Sequence, residues 1–185
     1  MATFADKPTL TGERVIVRPM IESDAEAFLA SMDEEGMRLT GTHRSFTLIE
    51  LRTWAAARAD VEDRLDLSIV DASSGCWIGE LAINDWDADN RSCGFRIALG
   101  PNGRNRGLGT EATRLIVDYV FTHLPIHRIG LEVFAFNPRA AHVYESVGFI
   151  REGVMRSALL WNGEYTDTIL MGILRPDWLA RDRSS

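Results

Sequence analysis

Between residues 91 and 136 the apolar pattern changes its period twice, and this constrains the fold more than any other feature of the chain. Residues 91–99 alternate as a strand does. Residues 107–122 place Leu108, Ala112, Leu115, Ile116 and Tyr119 on one helical stripe, and residues 128–136 alternate again. Strand, helix and strand in that order predict a parallel crossover, because a helix that packs back on the sheet returns the chain to run the same way. Residues 65–70 and 76–84 are short, β-prone and bounded by turn clusters at 71–75 and 85–90, which predicts antiparallel neighbours. Upstream, Arg14-Val-Ile-Val-Arg18 alternates and stops at Pro19. Ser23 or Asp24 can then cap a helix whose Ala25, Phe28, Leu29 and Met32 share a face, and a second helix follows Thr47. Downstream, Asn137 and Pro138 open a helix that Gly148 ends, and residues 149–161 and 165–174 flank Asn162-Gly163 as a hairpin. The expected architecture is α+β, one mixed and mostly antiparallel sheet flanked by helices.

A chain of 185 residues with 45% apolar content fits one domain with its own core, residues 1–9 and 179–185 reading as loose tails. No apolar run approaches the ~20 residues of a membrane span and the start lacks a signal pattern, so a cytoplasmic protein without a membrane partner is expected. The formal charge of −7 argues against nucleic acid and favours cationic ligands such as amines. Cys76 and Cys93 lie in strand-like stretches with no metal-ligand spacing, so both are expected as buried thiols, with neither disulfide nor metal.

Chemistry concentrates in Arg104-Asn105-Arg106-Gly107-Leu108-Gly109-Thr110, a glycine-bearing loop that opens a helix after a strand. Unsatisfied N–H groups at a helix start, the helix dipole, glycines that admit a close approach and two arginine forks suit an anion, with pyrophosphate the expected guest. The plain alternative is a helix start with a solvated basic loop. Residues 107–112 also match a dinucleotide fingerprint, G-x-G-x-x-A, but seven residues separate Leu99 from Gly107 and no carboxylate ends the next strand for a ribose.

These residues resemble the GNAT superfamily of acetyl-CoA-dependent N-acetyltransferases. Arg104, Gly107 and Gly109 meet its R/Q-x-x-G-x-G/A signature, and residues 137–149 look like its N-x-x-A-x-x-x-Y-x-x-x-G-F segment. The start Arg14–Met20 and the ending Trp161–Trp178 are most similar to the RimJ/RimL-type branch, which acetylates protein N-termini, although Tyr144 stands where that branch often carries an apolar residue. The resemblance implies a sheet splayed between its fourth and fifth strands, residues 95–99 leaving 128–136, with a bulge near 95–97. It also implies acetyl-CoA as cosubstrate and no metal. The pantetheine would pair with the backbone of Ile97 and Leu99, and Arg104, Asn105, Arg106, Gly107, Leu108, Gly109, Thr110, Asn137 and Tyr144 would hold the cofactor. A homodimer is compatible with it.

Two catalytic residues follow. Tyr144 lies two helical turns past Asn137 and suits a general acid, since a phenol of pKa ~10 stays protonated beside a thiolate of ~8.5; the bland reading is an aromatic anchor. Glu132, mid-strand with Gly130 and Phe134 on its face, matches the family's base, the alternative being a salt bridge to Arg128 or another arginine. His43, between the two N-terminal helices, and Asp85 with Trp86 and their neighbours Asp87 and Asn90 are candidates for contact with the acceptor. The expected reaction is acetyl transfer to a primary amine by direct attack through a tetrahedral intermediate, no cysteine or serine having the context of a nucleophile. The acceptor is a protein or peptide N-terminus, or else a polyamine or aminoglycoside. The competing class is an acyl-CoA-binding module without turnover.

Overall fold

The computed structural model describes residues 4–181. In chain order it contains β1 (Leu10–Thr11), β2 (Val15–Pro19), α1 (Asp24–Ser31), α2 (Glu34–Thr40), α3 (Leu48–Ala57), β3 (Leu65–Asp71), β4 (Trp77–Asp87) and β5 (Ser92–Leu99). A 3-10 turn at Pro101–Gly103 leads to α4 (Leu108–His123), β6 (Arg128–Phe134), α5 (Pro138–Val147), β7 (Ile150–Trp161), β8 (Glu164–Leu174) and α6 (Arg175–Arg181). The strands form one eight-stranded sheet in the order β1-β2-β3-β4-β5-β6-β8-β7. Its β5–β6 pair is parallel and its other pairs are antiparallel. Among the described residues no helix is long and apolar enough to cross a membrane, and no group of metal-ligating side chains comes together.

The change of period noted in the sequence is the centre of the fold. Leu108, Ala112, Ile116, Val117, Val120 and Phe121 of α4 bury one stripe against the back face of the sheet, where Cys93, Phe95, Ile129, Leu131 and Val133 also point. Each such side chain, fully buried, contributes about 1.5–3 kcal/mol. Helix α5 joins them through Ala141, Tyr144 and Val147, starting where Asn137 accepts from the Ala140 N–H at 3.1 Å and ending at Gly148, whose φ of +107° favours glycine. Helix α3 begins with a reciprocal capping box between Thr47 and Glu50.

The front face carries α1 and α2, and here the structure departs from the sequence reading. Helix α2 was not anticipated. None of its residues is buried, and it is held by its Asp33 cap, which accepts from the Gly36 N–H at 2.7 Å. Ser23 occupies the N-cap of α1 without a side-chain bond, while Asp24 turns to Arg18 and Ser68. The expected tails are ordered where described: Phe4 is buried and donates to Glu62 O at 2.9 Å, Lys7 donates to Arg64 O at 2.6 Å, and residues 179–181 continue α6. Residues 1–3 and 182–185 lie outside the described residues. Cys93 is buried as expected, whereas Cys76 is exposed, because it precedes β4 in a surface turn.

Candidate active site

Strands β5 and β6 pair over three residues, Ser92 with Arg128, Cys93 with Ile129 and Gly94 with Gly130, and then part. Beyond Gly94 the edge of β5 that faces β6 has no strand partner among the described residues, so an open wedge of unpaired backbone runs toward Ile97 and Leu99. The splay lies where the resemblance put it, between the fourth and fifth strands of the sequence reading, which are β5 and β6 here once the short β1 is counted. The bulge does not. Strand β5 keeps an unbroken register with β4 from Gly94 to Leu99, and the irregularity sits on β4, where Asp85 and Trp86 occupy the space opposite Cys93. Asp85 has φ +50°, and its Oδ2 lies 3.1 Å from the position a Cβ would take at Gly94.

The wide end of the wedge is closed by the loop before α4. Gly107 takes the N-cap at φ +74° with no side chain to cap the helix, which leaves the N–H groups of Leu108, Gly109 and Thr110 without partners among the described residues. A Cβ at Gly107 would stand 2.8 Å from Arg14 Nη2, and one at Gly109 2.8 Å from Leu99 Cδ1. This backbone cradle fits a pyrophosphate. Leu108 contributes only its backbone, since its side chain belongs to the core.

The arginines of the loop are not the free forks that the sequence suggested. Arg104 is 9% exposed; its Nε donates to Leu99 O at 2.8 Å, Nη1 to Asp33 at 2.7 Å and Glu35 at 3.1 Å, and Nη2 to Asp33 at 2.7 Å. Four of its five donors are thus engaged, and its part is to pin α2 to the end of β5. Asp33 is held ionised below the usual carboxylate range by that pair. Leu99, expected to pair with pantetheine, already gives its carbonyl to Arg104. Arg106 donates to Asp71 at 2.7 Å and to Asn102 O at 2.9 Å.

Two other arginines, which the sequence reading passed over, reach the mouth of the wedge. Arg14 donates to Arg106 O at 2.9 Å and to Glu111 at 3.2 Å, bracing the first turn of α4 from the start of β2. Arg139, in the first turn of α5, crosses the mouth to the Asn105 side chain and lies 3.8 Å from Glu35. No local pattern could have marked Arg14; Arg139 stands inside the Asn137–Phe149 motif and was legible as a basic residue at a helix start. Asn137 itself uses its Oδ1 as the cap of α5.

Near the apex, Tyr144 is 7% exposed, with its ring against Phe95 at 6.2 Å and Phe149 at 6.0 Å between centroids. Its hydroxyl has no hydrogen-bond partner among the described residues, and burial pushes its pKa up to about 12. On the front face of β6, Glu132 is exposed and makes no ion pair among the described residues. The salt bridge considered for it is not formed, because Arg128 pairs with Glu152 of β7. Farther along this face, the His43 ring lies tilted against Trp161 at 5.0 Å, Phe134 lies 5.5 Å from Phe136, and Arg38 sits 4.3 Å over the Phe136 ring. Trp86 does not join them; its ring packs edge-on against buried Phe4 at 5.7 Å. Asp87 and Asn90 bond each other in the β4–β5 turn.

Residues 14–150 match the Acetyltransferase (GNAT) domain model. The chain belongs to the GNAT acetyltransferase family. A spermidine N(1)-acetyltransferase of Vibrio cholerae is 35% identical over 104 residues, which are 56% of this chain and 60% of that protein. The probable N-acetyltransferase YjcK of Bacillus subtilis is 30% identical over 179 residues, covering 91% of this chain and 98% of the relative. The solved structure of the Vibrio cholerae spermidine N-acetyltransferase in complex with CoA and spermine superposes with a TM-score of 0.83 at 25% identity, over 91% of this chain and 99% of that one. Family membership brings acetyl-CoA as acyl donor, and the wedge and the loop of this chain fit it.

Proposed function

We propose that this GNAT protein acetylates a small cationic amine of the polyamine type, with Glu132 as the proton acceptor and Tyr144 as the proton donor. The observation that carries the reading is the unpaired carboxylate of Glu132 on the front of β6, at the level where the wedge opens, with the partnerless Tyr144 hydroxyl near the apex from the back. Acetyl-CoA supplies an acetyl group activated as a thioester. The unpaired backbone of Ile97 offers the sheet edge along which pantetheine and the thioester oxygen can be hydrogen-bonded. Glu132 takes the proton that an ammonium must lose before its nitrogen can attack. Tyr144, with its pKa pushed up to about 12, keeps its proton at any working pH and can pass it to the departing sulfur.

Several features favour a polyamine over a protein N-terminus. The chain carries a formal charge of −7. Asp85 of β4 adds a second carboxylate without an ion pair among the described residues, set over Gly94 of the intervening β5, while the Arg128 guanidinium beside Gly130 is neutralised by Glu152. The tilted His43–Trp161 pair adds aromatic surface farther along the same face. The spermidine N(1)-acetyltransferases among the relatives support the same acceptor class. The RimJ/RimL-type reading, acetylation of a protein N-terminus, has a relative of its own in the putative ribosomal N-acetyltransferase YdaF, 26% identical over 116 residues.

The test is thiol release from acetyl-CoA with spermidine, spermine, an aminoglycoside and a short peptide bearing a free N-terminus. The polyamines should give the highest kcat/KM, reduced by Glu132→Gln and by Asp85→Asn. A preference for the peptide would return the chain to the RimJ/RimL branch, and the absence of turnover with every amine would leave an acyl-CoA-binding module.

A further inference from the structure

The freedom of Glu132 has a structural cause on the neighbouring strands. Carried two residues past the last parallel pair, Gly94 with Gly130, the register sets Arg96 level with Glu132. Both project from the front face, because residues two apart on a strand share a side. In an unbroken sheet they would form a cross-strand ion pair. Arg96 instead turns the other way, and its Nη2 donates to Glu80 Oε1 on β4 at 2.6 Å. Its side chain is 52% exposed and has room to swing.

Glu80 is a costly residue to keep in that place. It is 4% exposed, and its second oxygen, Oε2, is buried with no hydrogen-bond partner. Burial pushes its carboxyl pKa up, against the pull of Arg96. Asp66 lies beside it on β3 and has its own cations, Arg64 at 2.7 Å and Arg58, at the C-terminal cap of α3, at 3.8 Å. A buried carboxylate with one orphaned oxygen is usually neutral or unfavourable for stability compared with an apolar residue of the same size. What its one bonded oxygen does in this structure is hold Arg96.

The other cations on this side of the sheet are engaged elsewhere, Arg38 of α2 over the Phe136 ring and His43 against Trp161. On its own strand Arg128 is engaged by Glu152 of β7; on β8 it faces Leu170; from α2 and its loop the acids Asp33 and Glu35 are taken by Arg104; and Asp85 of β4 bears no cation. Arg96 is the cation whose position decides whether Glu132 is paired. We infer that Glu80 is a positioning residue that tethers Arg96 to β4 and so keeps Glu132 unpaired and able to accept the proton of the acceptor amine. An arginine delivered to Glu132 would favour its charged form, make it a weaker base and set a positive charge in the path of a cationic acceptor.

The inference rests on Glu132 being the base, and two readouts separate the two ideas. The first is an NMR titration of the Glu132 side-chain carboxyl in cofactor-free protein, for wild type, Glu80→Leu and Glu80→Leu with Arg96→Met. The second is kcat/KM against pH with spermidine for the same proteins. In Glu80→Leu the carboxyl should titrate about one pH unit lower or more, as expected for a carboxylate that gains an arginine. The rate at pH 7 should fall about tenfold, with the KM for acetyl-CoA unchanged. Both should return toward wild type in the double variant. A Glu80 that only stabilises the fold would leave the Glu132 titration unmoved, and that result overturns the inference. If the titration moves and recovers while the rate does not follow, the tether stands and the assignment of Glu132 as base falls. Should Glu80→Leu fail to fold, Glu80→Gln keeps the shape, weakens the hold on Arg96, and should move both readouts in the same direction by less.

Discussion

Replacing Arg104 with methionine separates a structural role from a phosphate-binding one. The guanidinium is 7% exposed by side chain and bridges α2 to the end of β5 through Asp33, Glu35 and the Leu99 carbonyl. Breaking a buried ion pair by deleting one partner costs about 3–5 kcal/mol. Asp33 is 36% exposed and Glu35 59%, so both can rehydrate, while Leu99 loses a donor. The discounted loss is about 2–4 kcal/mol, which for a domain of this size lowers Tm by roughly 5–15 °C. The effect should depend on pH. Arg104 holds the folded pKa of Asp33 below its unfolded value, so the stability it provides is fully present above about pH 4 and is lost as pH falls through the lower folded value. Wild type and variant should therefore differ most at neutral pH and converge in strong acid. Urea unfolding at pH 7 and pH 3 measures this, and calorimetry at pH 7 gives the CoA affinity of each protein. A variant that keeps its stability and loses CoA affinity about tenfold or more, the loss of one charge-assisted phosphate contact, would refute the structural assignment.

Tyr144→Phe should leave CoA affinity nearly unchanged and lower kcat by roughly 10²-fold, and because the phenol titrates near 12, wild type should show no alkaline limb from it below pH ~10; unchanged kcat would make Tyr144 a packing residue. Gly107→Val forces a β-branched side chain into φ +74° and against Arg14, so CoA binding measured by calorimetry should fall with the disturbed loop, and normal binding would reduce the loop to a helix start. Acetyl-CoA at a hundredfold excess over Kd should stabilise the protein by about 2.7 kcal/mol in thermal melts, an effect that free acetate should not reproduce. Cys93, with a thiol pushed up to about 12 by burial, should resist alkylation in the folded protein at pH 8 while exposed Cys76 reacts, so mass spectrometry should count one label before denaturation and two after.

The parts of this fold that could be read from the sequence are those whose cause is local. Helix α4 shows its apolar stripe, α5 its Asn137 cap and its Gly148 stop, and the last hairpin its Asn162-Gly163 turn, each within a few residues. Helix α2 has an Asp33 cap and a Gly41 stop but no apolar stripe between them. It buries no residue and is fixed largely by Arg104, far along the chain, so no window of sequence shows why it forms. The same distance explains the loop: Arg104 and Arg106 look free beside glycines until Asp33 and Asp71 arrive from other elements. The bulge expected near 95–97 came from the resemblance alone; it lies on β4 instead, where Asp85 and Trp86, which read as the start of a turn, interrupt the β4–β5 register before Asp87 pairs with Ser92. The Arg96–Glu80 tether joins β5 to β4 and carries no signature in either strand alone.

The three-pair seam between β5 and β6 also bears on how the molecule comes apart. On one side lie β1 to β5 and on the other β6, β8 and β7, sharing a sheet through three residue pairs and otherwise joined through the helices of the back face and a few front-face contacts such as Arg139 with Asn105 and His43 with Trp161. Such a junction divides the protein into two foldons of different stability, the second opening from its long, exposed β7 edge. A ligand that fills the wedge would add hydrogen bonds across the division and merge the two into one cooperative unit. Native-state hydrogen exchange should then show two protection plateaus in the free protein and a single one with CoA bound, so that occupancy of the cofactor site is registered at β7, on the far edge of the sheet.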